Sequence, residues 1–278
     1  MNRRKFLAGG LVGATGLLAG CSGEKSAPDG LSATGRPFKE LGVQLYTVRT
    51  LFEADFRGPL RAIAGIGYKD LEFAGYFNHD RAEIKTFMEE LGLSSHSTHV
   101  RLEPLRDDFE AEMEIALQMG QRNMFLNWLA PEERTADAYR AHADLLNQRG
   151  EEARANGLQL GYHNHDFEFE TVEGIVPFEL LMERTDPDLV KFELDLYWVA
   201  EGNQDAIEIL KSAPGRFLAF HLKDRAASGK MSPVGDGEID FESIFAHAEA
   251  AGIEHYYIEQ DDAADPLLSL QRSYAHLA

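Results

Sequence analysis

Four stretches of this sequence share one pattern, an apolar run that stops abruptly at groups able to ligate a cation or move a proton. They are LQLGYHNHDFEFE (158–170), KFELDLYW (191–198), LAFHLKD (218–224) and HYYIEQD (255–261). A short apolar run bounded by polar residues reads as a buried strand ending in a loop. Imidazoles and carboxylates gathered at strand ends are costly to desolvate unless they bind something. Glu168, Asp195, His221 and Glu259 stand out as ligands of one divalent metal. Three carboxylates and an imidazole form a hard, mixed donor set, suited to Mn2+, Mg2+, Co2+ or Zn2+ with positions left open for a bidentate substrate. Such a centre stays slightly anionic and favours a neutral polyol or ketone over a polyanion. Any one of these residues alone is as readily a surface or salt-bridged group. The coincidence at four strand ends carries the reading.

Strand-like and helix-like patterns alternate along the chain from residue 41, as βα units do. Strands are expected at 42–46, 68–73, 94–99, 123–128, 158–163, 190–195, 217–223 and 255–259. Helices are expected around 59–65 and at 81–91, 109–119, 136–156, 178–184, 204–211, 241–251 and 266–276. About eight units close a (β/α)8 TIM barrel, an α/β fold. A doubly wound open sheet would need a Gly-rich loop after the first strand. The segment TVRTLFEAD there contains no glycine.

In such a barrel, chemistry sits at the C-terminal strand ends. Beyond the four ligands, those ends bring Gln44, Glu72, His99 and Asn127 as hydrogen-bonding walls, and His165 as a sugar contact or base. Strand alternation sets Lys223 on the face of His221, where it could donate a proton, hold an oxyanion, or simply pair with Asp224 or a barrel carboxylate. Lys191 and Glu193 lie below Asp195 on its face and are expected to neutralise one another as packing ions. His163 lies deeper and reads as structural. Gly235 and Gly237 read as turn formers.

The chain has 278 residues, is 44% hydrophobic and carries a formal net charge of -20. One large domain accommodates that length. The acidic balance argues against nucleic acid or anionic lipid as a partner. With a single cysteine there is no intrachain disulfide and no zinc–thiolate cluster. Residues 1–21 combine Arg3, Arg4 and Lys5 with a short Gly/Ala-rich apolar stretch, and resemble a twin-arginine export signal ending in a lipobox at Cys21. Residues 22–40 read as a flexible tether. The expectation is an exported, periplasmic lipoprotein that meets the membrane only through a lipid on Cys21. Homo-oligomerisation is left open.

YHNHDFEF, ELDLYWV, FHLKD, VGDGEIDF and YYIEQD, in this order and spacing, resemble the sugar phosphate isomerase/epimerase family with xylose isomerase-like TIM barrels. The resemblance runs from about residue 40 to the C-terminus. It implies one divalent metal on Glu168, Asp195, His221 and Glu259, with Glu168 and Glu259 also shuttling the proton, as in ketose epimerases. Those epimerases carry His three residues after the metal Asp. Trp198 stands there instead, which suggests a stacking wall for a sugar ring or aglycone. The implied reaction removes a proton α to a carbonyl through a metal-bound enediolate. Reprotonation makes an isomerase or epimerase, and loss of a β-substituent makes a lyase acting on 3-keto-glycosides. A lipid-anchored sugar binder without catalysis is the reading of another class. A multi-metal endonuclease is disfavoured by the lack of a basic groove.

Overall fold

A computed structural model describes residues 38–278. The expected export signal, Cys21 and all but the last three tether residues lie outside the described residues. Among the described residues, no helix is long and apolar enough to cross a membrane. Phe38 already packs, its ring centroid 5.9 Å from Phe245 and 5.3 Å from Tyr256, so the packed chain includes the end of the stretch read as tether.

Among the described residues, ten strands occur in chain order: β1 (Gly42–Gln44), β2 (Asp70–Phe73), β3 (Ser94–Val100), β4 (Asn123–Leu126), β5 (Gln159–His163), β6 (Val190–Asp195), β7 (Phe217–Leu222), β8 (Asp224–Arg225), β9 (Met231–Ser232) and β10 (His255–Ile258). Eight close into a parallel barrel in the order β1-β10-β7-β6-β5-β4-β3-β2. The fold is the (β/α)8 barrel read from the sequence. β8 and β9 form a separate antiparallel ribbon in the loop after β7.

The helices follow where amphipathic runs meet caps. Asp80, Thr135 and Asp265 accept backbone N–H groups at the starts of Arg81–Leu91, Ala136–Ala155 and Pro266–Leu277. Each side chain satisfies a donor that the helix leaves open. The helix expected over 241–251 is instead two short ones, Phe241–Phe245 and Ala248–Ala251. The His247 N–H bonds back to Ile244, tightening and ending the first before the second starts.

Two apolar regions hold the barrel. The larger lies between strands and helices and includes Val43, Leu71, Leu160, Phe192 and Leu222. The smaller comprises Phe125, Ala219 and Tyr257. Large rings there face strands with no side chain: a Cβ on Gly42 would run into Tyr257, and one on Gly161 into Phe125. Large residues opposite small ones are how a narrow barrel is filled.

Candidate active site

The barrel strands lead to a cavity of about 840 Å3. His99, Asn127, His163, His165, Trp198, Lys223, Glu259 and Asp261 line it. Asp195 and His221 are fully buried.

Asp195 ends β6 and caps the helix Leu196–Glu201, its Oδ1 accepting the Trp198 N–H at 3.1 Å. Its own N–H donates to Asn164 Oδ1 at 3.0 Å. One carboxylate oxygen is thus spent on the helix, leaving Oδ2 buried without a hydrogen-bond partner. His221 Nδ1 lies 3.7 Å from that oxygen and 2.9 Å from Glu259 Oε2. Donor atoms of Asp195, His221 and Glu259 all fall within 4.8 Å of one another.

Behind His221, Nε2 stands 2.6 Å from Glu72 Oε2. Glu72 is held in turn by Gln44 Nε2 at 2.8 Å and by the Ser97 hydroxyl. A carboxylate bonded to the far nitrogen fixes the tautomer of a ligating imidazole and raises its basicity. Asp195 Oδ2 and His221 Nδ1 are buried without a hydrogen bond of acceptable geometry, and only the neighbouring charges of Lys223 and Glu259 meet them. This buried set of oxygen and nitrogen donors fits a divalent cation. Lys223 shares the same oxygens, its Nζ 3.0 Å from Asp195 Oδ2, 2.8 Å from Glu259 Oε2 and 3.3 Å from Asp261. Burial alone would lower the Lys223 ammonium, but Asp195, Glu259 and Asp261 outweigh it and hold the group well above its usual range. Of the pairings expected for Lys223, the barrel carboxylates prevail over Asp224. Asp224 instead accepts the N–H groups of Gly235, Gly237 and Ile239, so VGDGEID is a turn organised by one carboxylate.

A second group lies deeper. His99, His163, Glu193 and His221 present donor atoms within 4.8 Å of one another. Glu193 Oε2 is 2.8 Å from His99 Nε2, and 3.1 Å from both His163 Nδ1 and His221 Nε2. Burial would raise the Glu193 carboxyl, but His221, His163 and His99 hold it well below the usual range. The expected pairing of Glu193 with Lys191 does not form. Lys191 stands near the start of β6 and donates to the Gly215 carbonyl at 2.8 Å. Two residues along a strand separate them by about 7 Å, and a flexible lysine near the barrel base reaches outward instead.

Three expectations are corrected. Glu168 joins none of the candidate ligand groups found among the described residues. The short turn Phe167–Phe169 after β5 turns it aside, where it accepts from the Tyr162 hydroxyl and, at 2.7 Å, from the His165 N–H. Burial, only partly offset by those bonds, pushes its carboxyl up to about 7. Gln44 and Glu72 are not substrate walls, since neither lines the cavity and both are fully buried behind His221. The stagger of barrel strands set their depth, and a single sequence does not display stagger.

His165 remains at the cavity, stacked on Phe167 with centroids 5.2 Å apart and 5.3 Å from Trp198. Burial, His163 and Lys223 keep its imidazole neutral. Its Nδ1 and the Oδ1 of Asn127 are buried without partners. Asn164 and Asp261 were missed, although both sit in the quoted stretches beside chosen residues. Burial and the nearby Glu259 push the Asp261 carboxyl up to about 7.

Comparison with known proteins agrees with this fold. The family described as Xylose isomerase-like TIM barrel matches residues 60–274. An inosose dehydratase of Clostridium perfringens is 32% identical over 154 residues, 47% of this chain and 51% of that protein. The chain thus spans about half the length of the curated relatives it matches in this way. A sugar phosphate isomerase/epimerase from Parabacteroides distasonis superposes with a TM-score of 0.73 at 28% identity, covering 85% of this chain and 92% of that one. A structure described as IOLI protein with a binding zinc atom has a TM-score of 0.69 at 16% identity, covering 85% and 95% respectively, and shares the fold. With the closed barrel, the buried ligand groups and a match over most of its length, the chain belongs to the xylose isomerase-like TIM barrel family.

Proposed function

We propose that this protein is a dication-dependent enzyme that removes the proton α to the carbonyl of a neutral keto-sugar or keto-polyol and expels a β-substituent. One observation carries the reading: Asp195, His221 and Glu259 meet beside a cavity that the His165 imidazole and the Lys223 ammonium both line. These three residues would hold the ion, which when bound polarises the carbonyl and acidifies its neighbouring C–H. Zinc in the IOLI protein supports a dication here. Mn2+, Mg2+ and Co2+ suit the donor set as well.

His165 is placed as the base. Its backbone N–H is tied to Glu168 and its ring is braced by Phe167, so it keeps a fixed aim without a partner consuming Nδ1. Lys223 is the acid, an ammonium beside Glu259 that can protonate the departing group. Trp198 walls the substrate, and Asn127 Oδ1 accepts from a hydroxyl. One base and one acid facing the same space suit elimination. The two-glutamate epimerisation that the resemblance implies would use Glu168 with Glu259, and Glu168 does not line the cavity. The relatives named inosose dehydratase lend the elimination support. Isomerisation or epimerisation is the second reading, favoured by the 28% identical relative of that name.

Proton NMR in D2O with keto-polyols and 3-keto-glycosides separates these readings. The wild type is expected to exchange the α-proton and release the β-substituent. His165→Gln should slow exchange by about 100-fold, the scale of general base catalysis. Lys223→Met should keep exchange and lose release. Exchange without release in the wild type would instead indicate the isomerase or epimerase, and binding without exchange a sugar-binding protein.

A further inference from the structure

At the opposite end of the barrel three strands bring together Asp70, His96 and His255, at or near the starts of β2, β3 and β10. His96 Nδ1 lies 3.0 Å from Asp70 Oδ1, and His255 Nδ1 lies 3.4 Å from Asp70 Oδ2. The two imidazoles face each other at 5.4 Å between centroids, tilted by 30°. Each therefore presents the same ring nitrogen to a different oxygen of one carboxylate.

The carboxylate is built in place. Asp70 accepts the Leu71 N–H at 2.9 Å, the His96 N–H at 3.1 Å and the Tyr257 hydroxyl at 2.9 Å. Both N–H bonds fall on Oδ1 and the hydroxyl on Oδ2, which orients the carboxylate and leaves one lone pair, on Oδ2, for an ion. His96 Nδ1 is buried, and despite its closeness to Asp70 it makes no hydrogen bond of acceptable geometry. Its ring is otherwise partly open to solvent, which leaves an entry path. Glu40 adds negative charge close to His96.

We propose that Asp70, His96 and His255 form a second cation site, selective for a first-row transition dication such as Zn2+, at the N-terminal end of the barrel. Ligands on a tetrahedral Zn2+ at about 2.0–2.1 Å stand roughly 3.4 Å apart, which matches the 3.4 Å between His255 Nδ1 and the Asp70 oxygen that keeps a free lone pair. Two imidazoles and one carboxylate disfavour Mg2+ and Ca2+, which prefer all-oxygen shells. The site would also brace the barrel. β1 has only three residues and is hydrogen-bonded between β2 and β10, so an ion held by β2, β3 and β10 spans the seam where the first strand meets the last. The proposal is independent of the reaction at the other end.

The test uses the full chain, stripped with a chelator and titrated with Zn2+ alone. Bound zinc is counted after equilibrium dialysis, and the melting temperature is read with and without the ion. The wild type is expected to bind one more equivalent than His96→Gln/His255→Gln and to show a larger zinc-dependent rise in Tm. Asp195→Asn should weaken only the other equivalent. His96→Gln alone, on a partly exposed ring, should bind the extra ion at least about tenfold more weakly and decides the matter if the double variant does not fold. Equal stoichiometry and equal Tm shifts in wild type and His variants would overturn the site and leave an ion-paired cluster.

Discussion

Glu168 illustrates how a residue's type can be legible while its use is not. It is a glutamate just past a strand end, and the family resemblance makes it a ligand. In the structure it locks the turn that aims His165. Its carboxyl keeps a proton up to about pH 7, whereas an unfolded glutamate loses it near pH 4.3. Between those values the native state binds the extra proton, so its contribution to stability falls as pH rises. Glu168→Gln has no such proton. From pH 5 to pH 8, denaturant titrations should show stability of the variant relative to wild type rising by on the order of 1–3 kcal/mol. A constant difference across that range would mean that Glu168 is ionised throughout. Gln44 and Glu72 carry the same lesson: their place near strand ends was legible, but only the closed barrel reveals that His221 stands between them and the cavity side.

Among the elements, strand order and most boundaries were readable because apolar runs, caps and glycines punctuate the chain every few residues. Pairs far apart in sequence were not. Asp70 and His255 are joined only by barrel closure. Asn164 supports Asp195 across the neighbouring strands β5 and β6. The interior layer beneath the site is another such product. A Cβ on Gly161 would strike the Phe125 ring and come within 2.8 Å of the Lys191 carbonyl oxygen. Backbone cannot swing aside as a side-chain tip can. Gly161→Ala should therefore lose about 1–3 kcal/mol in chemical denaturation, the usual cost of overpacking. An unchanged midpoint would show that β4 and β5 shift freely, contrary to a tightly filled barrel.

For the molecule as a whole, its two ends divide the chemistry. Charged groups are buried at the C-terminal end around His221, and Tyr257, with its ring 6.4 Å from His221, donates its hydroxyl to Asp70 of the other cluster. The central claim concerns the upper end: three side chains from β6, β7 and the residue after β10 hold one dication that makes a keto-sugar's C–H acidic. The most direct measurement follows the α-proton of a reactive keto-substrate by NMR in D2O, before chelation, after it, and after Mn2+ or Co2+ is restored. Exchange should vanish on chelation, return with the ion, and stay absent in His221→Ala at the same added metal. Exchange that survives chelation, or that His221→Ala carries out at the wild-type rate, would contradict the account.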